Sequence, residues 1–317
     1  MKILIAGGSG FIGSHLSKKL LSDGNEIICV DNLLTSSEKN IEDIKNNAHF
    51  TFIHHDVTIP LPDDLRADAV FHLASPASPN HHSKISYHAL QMQTMMVNSI
   101  GTLELLKFAE KNNAKFLYAS TSEAYGDPLE HPQKEEYRGN VSTIGPRSVY
   151  DESKRFGETL TAYYFRDKNL DARIARIFNT YGPNMHKDDL RMIARFTMQA
   201  LKNEPITVFG DGSQTRSLCY IDDLVEGLVK LMFNDNTKGQ VVNLGNPEEH
   251  TVKEYAEIVK QLTDSQSEII FSEDLPEDDP MRRQPDITKA KELLNWEPKV
   301  ALSDGLSKMI EYIKTII

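Results

Sequence analysis

The 317-residue chain contains only two cysteines, Cys29 and Cys219, and both lie in apolar runs. Thiols in such positions are usually small buried side chains, and two of them supply neither a disulfide framework nor the spacing of a metal site. The histidines do not supply a metal site either, because they occur as adjacent pairs at 54–55 and 81–82 rather than as i, i+4 pairs on a helix. We therefore expect a reducing compartment and no metal.

Long hydrophobic runs and excess positive charge are also missing. No apolar stretch approaches the roughly 20 residues of a membrane-spanning helix, and the first predicted strand begins at Lys2, which leaves no room for a signal peptide. The formal net charge is -11, whereas nucleic-acid backbones and anionic membranes require a basic face. We therefore expect a cytoplasmic protein of one large or two fused domains that binds neither nucleic acid nor membranes.

The first thirty residues have the pattern of a β-α-β unit, with apolar runs at 2–6 and 26–30 and a helical period at 11–23. The alternation continues with strands predicted at 49–54, 69–74, 115–120 and 172–178, and with long helices at 87–112 and 150–169. This order predicts an α/β fold with a doubly wound parallel sheet (Rossmann). Ligands of such sheets bind at the carboxyl ends of the strands.

After Asn179 the predicted elements become shorter and mixed. Helices are expected at 189–203, 222–233, 252–262, 287–294 and 302–317, strands at 206–209 and 241–243, and an acidic surface loop at 272–280. These residues predict a smaller α/β lobe. Because no flexible linker separates the two halves, we expect them to pack closely around a cleft.

A glycine-rich turn follows the first strand and opens the first helix. Gly7, Gly10 and Gly13 give the spacing G-x-x-G-x-x-G, and with Gly8 the turn also fits G-x-G-x-x-G. Such glycines let the backbone approach a pyrophosphate, whose charge then meets the helix N-terminus. Asp31 ends the second strand, where a carboxylate bonds ribose hydroxyls and repels a 2′-phosphate, so NAD is favoured over NADP. The alternative is a turn that only tightens strand–helix packing.

Further cofactor contacts are expected in the first helix and near the ends of the strands. The predicted residues are Phe11, Ile12, Asn32, Asp56, Val57, Leu73, Ala74, Ser75 and Thr180. Several of these could equally be ordinary loop residues. We assign residues 1–178 to an NAD-binding domain, to which part of 214–245 returns, and residues 179–317 mainly to a substrate-binding lobe.

Tyr150 and Lys154 stand four residues apart in a predicted helix and therefore share one face. An ammonium beside a phenol lowers the pKa of the phenol from about 10 toward working pH, so Tyr150 could take a proton from a sugar hydroxyl. Such a pair is common by chance, and the alternative is a solvated lysine beside a partly buried tyrosine. Segment 120–126 adds hydroxyls and one carboxylate at the end of the fifth predicted strand.

Together these motifs resemble the extended short-chain dehydrogenase/reductases that act on nucleotide sugars. Segments 177–183 and 211–216 are similar to the same family, so the resemblance covers nearly the whole chain. Within the family, stretches 74–79, 121–128, 243–251 and 282–287 resemble the branch that decarboxylates UDP-glucuronic acid to UDP-xylose. In the 4,6-dehydratase branch the position of Ser122 holds an Asp, and in the 4-epimerase branch the position of Glu123 is usually small or uncharged.

The resemblance implies an NAD-dependent enzyme that acts on a UDP-sugar through a 4-keto intermediate and returns the hydride internally. The implied catalytic residues are Thr121, Glu123, Tyr150 and Lys154. The implied substrate contacts are Ser122, Asn179, Val208, Phe209, Arg216 and Arg283. A nucleotide-sugar 4-epimerase, a 4,6-dehydratase and a non-catalytic NAD-binding protein remain the alternatives.

Two further expectations follow from the resemblance. The family usually dimerises through two long helices per subunit, which here correspond to residues 87–112 and 150–169. Segment 80–96, which borders the expected sugar pocket, departs from the family pattern, with Met95-Met96 where a basic residue is usual. His81 and His82 in this segment could line the pocket or lie in an exposed loop.

Overall fold

The computed structural model describes residues 1–275 and 279–317. Its first half alternates strands and helices as the sequence predicts. In chain order the elements are β1 (Lys2–Ala6), α1 (Phe11–Ser22), β2 (Glu26–Asp31), β3 (Phe50–His54), β4 (Ala69–His72), α2 (Gln91–Met96), α3 (Thr102–Asn112), β5 (Lys115–Thr121), α4 (Ser148–Asp167) and β6 (Ala172–Ile177).

The second half contains more strands than were predicted, because several have only two or three residues and carry no periodic signal. Its elements are β7 (Thr180–Tyr181), α5 (Met192–Leu201), β8 (Ile206–Phe209), β9 (Thr215–Ser217), β10 (Cys219–Tyr220), α6 (Ile221–Phe233), β11 (Val241–Leu244), β12 (Glu249–Thr251), α7 (Val252–Leu262), β13 (Ile269–Glu273), α8 (Thr288–Leu294) and α9 (Leu302–Lys314).

Seven parallel strands form the large sheet in the order β11-β6-β5-β4-β1-β2-β3, which confirms the doubly wound parallel fold. The strand order reverses between β1 and β4, and ligands of such sheets bind outside the carboxyl ends of the strands at this reversal. The edge strand β11 comes from the second half of the chain and pairs with β6, from Val241 opposite Ile174 to Leu244 opposite Ile177.

Helices cover both faces of the sheet because its buried strands are apolar on both sides. Ile3 and Ile5 of β1 face a core that includes residues of α1 and α6. Leu4 and Ala6 face the opposite core, which includes residues of α3 and α4. None of the helices in residues 1–275 and 279–317 is long and apolar enough to cross a membrane.

The prediction of one long helix over residues 87–112 is wrong at its first turn and in making the helix continuous. It begins at Gln91, and a π turn (Val97–Gly101) separates α2 from α3. Tyr87 lies before the helix, with its ring stacked on that of Tyr150 at 4.8 Å between centroids. A π turn changes the local period without changing composition, so the apolar pattern did not reveal it.

The ends of several other predicted elements also differ from the sequence-based expectation. The helix expected from residue 189 begins at Met192, because Leu190 has a left-handed backbone conformation (φ 55°) that ends regular helix geometry. The acidic loop predicted at 272–280 overlaps β13 at its start. Residues 276–278 of that predicted loop lie outside the described residues.

The smaller lobe is built from α5, α7, α9 and two small sheets. β8 pairs in parallel with β13, and β9 pairs in antiparallel fashion with β12. Both cysteines are buried and free. Lobe residues from α5, β8 and β9 reach the carboxyl edge of the large sheet, where they line a cleft together with residues that follow β1, β2 and β4.

Helix α4 crosses β5 at a position where only glycine fits. A Cβ atom on Gly157 would lie 2.2 Å from Oη of Tyr118, a fully buried side chain. The same hydroxyl donates a 3.4 Å hydrogen bond to the Lys154 carbonyl. The close approach of α4 to the sheet therefore depends on the missing side chain at Gly157.

We expect Gly157→Ala to lower the free energy of unfolding by about 1 to 3 kcal/mol, because an added methyl group overpacks this crossing. Urea denaturation monitored by circular dichroism measures the change. Thr159→Ala, at an exposed position of the same helix, is the control and should change stability little. Equal stability of Gly157→Ala and the wild type would contradict the proposed crossing.

Candidate active site

The cleft at the carboxyl edge of the sheet has a cavity volume of about 510 Å³. Every cofactor residue predicted from the sequence lines it. These residues are Gly7, Gly10, Phe11, Ile12, Gly13, Asp31, Asn32, Asp56, Val57, Leu73, Ala74, Ser75, Tyr150, Lys154 and Thr180. The structure therefore brings together side chains from widely separated segments on one surface.

The glycine turn packs too tightly for side chains at several of its positions. A Cβ atom on Gly13 would lie 2.0 Å from the Gly7 carbonyl oxygen, and one on Gly7 would lie 2.8 Å from the Ala74 nitrogen. Gly7 also has a positive φ of 80°, which glycine adopts without strain. The turn leads directly into α1, so backbone amides and the helix N-terminus face the cleft as a cradle for phosphate.

Asp31 lies at the end of β2 and is buried. Its carboxylate accepts hydrogen bonds from the Ser9 amide at 3.1 Å, the Leu33 amide at 2.9 Å and the Ser36 hydroxyl at 2.7 Å. These donors hold the carboxylate beside the glycine turn. A carboxylate at this point fits ribose hydroxyls and opposes a 2′-phosphate.

Tyr150 and Lys154 lie on the buried face of α4, one turn apart. The Lys154 ammonium donates a 2.8 Å hydrogen bond to the Ala119 carbonyl and lies 5.8 Å from the centre of the Tyr150 ring. Thr121, at the end of β5, is buried beside them and lines the cleft. The Tyr-Lys pair and the hydroxyl of β5 thus meet at one point of the cleft.

The expected lowering of the pKa of Tyr150 is wrong for the protein alone. Burial raises the pKa of Tyr150 above its usual range, and the negative charge of Glu123 adds to this effect, whereas contact with the Thr121 hydroxyl opposes it. Burial also lowers the pKa of Lys154 to about 7. The sequence shows the spacing of the pair but not its desolvation, which disfavours both charged forms.

Glu123 is buried among positively charged and phenolic groups. Its Oε2 accepts a 2.5 Å hydrogen bond from Nη2 of Arg147 and a 3.4 Å bond from Tyr87, and its Oε1 lies 3.4 Å from Nη1 of Arg283. Burial would raise the pKa of Glu123, but the charges of Arg147 and Arg283 outweigh burial and lower it below its usual range. Glu123 is therefore ionised at neutral pH.

Three residues of this cluster were missed by sequence reasoning: Tyr87, Arg147 and Asp151. Tyr87 stacks on Tyr150, Arg147 precedes α4, and Asp151 directly follows Tyr150. Asp151 is buried, and its carboxyl group interacts with that of Glu123. Arg147 and Asp151 lie within a few residues of the Tyr-Lys motif, which was the available signal, whereas Tyr87 lies far from it in the sequence. The role of all three depends on Glu123, in the turn that follows β5.

The predicted arginines both lie in the cleft and are buried. Nη2 of Arg216 lies 2.8 Å from Oδ2 of Asp279, and Nη1 of Arg147 lies 3.2 Å from the other oxygen of the same carboxylate. Arg216 and Arg283 are therefore buried groups of the cleft rather than surface side chains. Asp279 therefore bridges Arg147 and Arg216 on the side of the cleft formed by the lobe.

The remaining predicted substrate contacts are divided between the cleft and the core. Ser122, Asn179 and Phe209 line the cleft, and the Arg195 guanidinium lies 4.1 Å from the centre of the Phe209 ring. Val208 does not line it, because alternation along β8 turns this side chain into the core, where it is fully buried. Any contact of Val208 with substrate would therefore be made by its backbone, and its role in substrate binding stays a prediction.

The divergent segment 80–96 contributes methionines to the cleft. Met92 and Met96 line it, whereas neither His81 nor His82 does. The His81 ring stacks on His88 with centroids 3.8 Å apart. His82 is exposed, with Nε2 3.4 Å from a carboxylate oxygen of Glu273, which agrees with the loop interpretation.

Comparisons with known proteins agree with this architecture. UDP-glucuronic acid decarboxylase 1 of Danio rerio is 50% identical over 313 residues, covering 98% of this chain and 72% of the relative. UDP-glucuronic acid decarboxylase 5 of Arabidopsis thaliana is 51% identical over 312 residues, covering 98% of this chain and 89% of the relative.

Solved structures with NAD bound are also similar. UDP-glucuronic acid 4-epimerase of Bacillus cereus, in complex with UDP-glucuronic acid and NAD, has a TM-score of 0.88 and 31% identity and covers 100% of both chains. The dTDP-glucose 4,6-dehydratase DesIV of Streptomyces venezuelae, solved with NAD bound, has a TM-score of 0.88 and 26% identity, covering 99% of this chain and 97% of its own.

The parallel sheet, the glycine cradle and the Tyr-Lys pair define a dinucleotide-binding α/β protein of the Rossmann class. A sequence model of the NAD dependent epimerase/dehydratase family matches residues 3–245. The chain belongs to this family, and the resemblance found in its motifs is confirmed.

The buried Lys154 predicts a measurable pH dependence of stability. Its pKa is lowered from 10.5 to about 7 in the folded protein, so between these values the unfolded chain binds more protons than the folded one. The free energy of unfolding should therefore rise with pH in this window, by at most about 1.4 kcal/mol per pH unit. Lys154→Met should remove this rise.

Urea denaturation from pH 7 to pH 10 measures the difference between wild type and variant. Lys168→Met, at a partly exposed lysine directly after α4, is the matched control and should retain the rise. An identical pH dependence in Lys154→Met and the wild type would contradict the burial of a titrating Lys154.

Proposed function

We propose that the protein decarboxylates UDP-glucuronic acid to UDP-xylose in an NAD-dependent reaction with a 4-keto intermediate. The observation that carries the proposal is the position of Glu123. A buried, ionised carboxylate stands beside the Thr121, Tyr150 and Lys154 group expected to act at C4. Curated relatives about 50% identical over nearly the whole chain are named UDP-glucuronic acid decarboxylases, which supports this choice of substrate and reaction.

NAD fits the residues that the chain presents. The glycine cradle and the N-terminus of α1 would hold the pyrophosphate, and Asp31 would hold the ribose of the adenosine. NAD, when bound, supplies a positively charged ring that accepts the hydride from C4 of the sugar and later returns it. Positive charge in the cleft also favours the tyrosinate form of Tyr150.

We assign to Tyr150 the removal of the proton from O4. It would accept this proton as C4 is oxidised, and Thr121 would donate a hydrogen bond to the developing C4 oxygen. Oxidation at C4 makes the sugar a β-keto acid, and loss of carbon dioxide leaves an enolate whose oxygen needs nearby donors. Tyr150 and Thr121 can supply them. Lys154 would position the phenol from the next turn of α4.

The substrate is a dianionic diphosphate joined to a carboxylated sugar, so its site requires buried positive charge. We assign Arg216 and Arg283 to these anionic groups, with Asn179 and Phe209 as further contacts. Both arginines lie on lobe segments that line the cleft. Ser122 stands where a dehydratase would carry its leaving-group acid, which disfavours elimination of water.

A 4-epimerase is the second candidate, because the epimerase of Bacillus cereus binds UDP-glucuronic acid and NAD on the same fold. Both reactions begin with oxidation at C4. They differ in the fate of the carboxyl group, which a decarboxylase loses and an epimerase retains. Product mass therefore separates them, and NAD binding without turnover of any nucleotide sugar would favour a non-catalytic role.

Purified protein incubated with UDP-glucuronic acid should release carbon dioxide and form UDP-xylose, as measured by mass spectrometry. Tyr150→Phe should lower turnover by about 10²-fold or more, with little change in substrate affinity, because it removes the proton acceptor. Tyr312→Phe, at a half-buried tyrosine of α9, is the control. Full turnover by Tyr150→Phe would refute the assigned role, and retention of the carboxyl group in the product would refute decarboxylation.

We further propose that the protein is a homodimer. Large apolar side chains are exposed along α2, the π turn and α4, where a soluble monomer would favour polar residues. They are Met92, Met96, Ile100, Phe156 and Tyr163, between 38% and 62% exposed. Two adjacent helices with such a surface could form a four-helix interface with a second copy of the chain.

Phe156→Asp should shift the dimer toward monomer, because it places a charge at the centre of this apolar surface. Sedimentation velocity at micromolar concentration measures the change. Leu129→Asp, at a position that is 81% exposed in a loop outside these helices, should leave the mass unchanged. A wild-type protein that sediments as a monomer would rule out the dimer.

A further inference from the structure

In the proposed reaction, the proton that C5 receives after decarboxylation still lacks an assigned donor. When the C5–C6 bond breaks, carbon dioxide leaves and its bonding electrons form the enolate between C5 and C4. A proton must then be added to C5 before C4 can accept the returning hydride. Each turnover therefore consumes one proton that replaces the carboxyl group, and the site must hold this proton near C5.

Glu123 is suitably placed to transfer a proton but not to store one. Arg147 contacts one of its oxygens at 2.5 Å, and Arg283 lies 3.4 Å from the other. Two buried guanidinium groups stabilise the ionised carboxylate, so Glu123 holds no proton at rest. A neighbouring group that stays protonated at neutral pH is required.

Asp151 is such a group. It lies in the first turn of α4, immediately after Tyr150, and is 6% exposed. Its carboxyl group interacts with that of Glu123, and two carboxyl groups can share a hydrogen bond only when one proton lies between them. Its Oδ1 atom is buried without a hydrogen-bond partner among the described residues, which also disfavours a charged Asp151.

We propose that Asp151 holds the proton that replaces the carboxyl group at C5 and delivers it through Glu123. The Asp151 proton passes to Glu123, and Glu123 in turn gives one proton to C5, directly or across one water molecule. The C5–H bond forms from the enolate electrons, the C4 ketone is restored, and Asp151 becomes a carboxylate. One proton from solvent then restores the pair before the next turnover.

The charges around Asp151 favour this resting state. Burial raises the pKa of Asp151, and the negative charge of Glu123 raises it further. The positive charges of Arg147 and Arg283 oppose this rise. Two phenols lie beside Glu123: Tyr87 donates a 3.4 Å hydrogen bond to it, and the Tyr87 ring stacks on that of Tyr150. The pKa values of the two carboxyl groups are therefore shifted apart, which leaves Glu123 ionised and Asp151 neutral. Paired acids with different pKa values are common where each acid has a different role in proton transfer.

The decisive variant is Asp151→Asn, which retains a hydrogen-bond donor to Glu123 but has no proton to release. In single-turnover assays with UDP-glucuronic acid, it should still release carbon dioxide, whereas UDP-xylose formation should fall by about 10²-fold. The enol should instead escape as a UDP-4-ketopentose. Glu152→Gln, which removes the adjacent, partly exposed carboxylate on α4, is the matched control and should leave both rates unchanged.

A merely structural Asp151 would lower both rates together and leave the pH profile unchanged. Our proposal instead predicts that wild-type UDP-xylose formation declines at alkaline pH as Asp151 ionises, and that Asp151→Asn lacks this decline. Equal loss of carbon dioxide release and UDP-xylose formation in Asp151→Asn would overturn the proposal. So would a wild-type profile without the alkaline decline.

Infrared difference spectra test the resting state without any reaction. At neutral pH the wild type should show the C=O band of a neutral carboxylic acid, which Asp151→Asn should lack, and absence of this band in the wild type would overturn the proposal. This inference depends on the proposed decarboxylation, but the two can fail separately. Wild-type protein that shows the band and releases no carbon dioxide from UDP-glucuronic acid would refute the function while leaving the protonated Asp151 in place.

Discussion

The organisation of the cleft depends on a buried ion pair between Glu123 and two arginines. A carboxylate removed from water is stable only with good partners, and here the partners come from distant parts of the chain. Arg147 precedes α4, Arg283 precedes α8, and Glu123 follows β5. Because the large sheet and the lobe must both be in position for these contacts to form, the charge at the centre of the site also joins the two halves of the protein.

Helix α4 connects this ion pair to the proposed redox chemistry. It places Tyr150 and Lys154 on its buried face and carries Asp151 in the same turn as Tyr150. The close crossing at Gly157 keeps the helix against β5, which ends in Thr121. A rigid helix and a central strand therefore set the distances between the groups proposed to act at C4 and at C5, as precise sites generally require.

The sequence was most informative where function depends on neighbours along the chain. The glycine turn, Asp31 and the Tyr-Lys spacing are local patterns, and the structure brings them to one cleft. Contacts between distant segments were not visible, so Asp151 was missed although it adjoins Tyr150. The burial of the Val208 side chain was not visible either, because the inward or outward direction of a residue in a short strand depends on packing. The lowered pKa of Lys154 depends on burial, which no spacing rule contains.

The position of β11 has a consequence for how the protein reaches its folded state. Strand β6 is complete at Ile177, but its partner β11 spans Val241–Leu244, more than sixty residues later along the chain. Until those residues are synthesised, β6 presents an unpaired edge of backbone amides and carbonyls, which is prone to pair with other chains. Nascent or truncated chains that end before β11 should therefore be aggregation-prone, and the sheet should close late in synthesis.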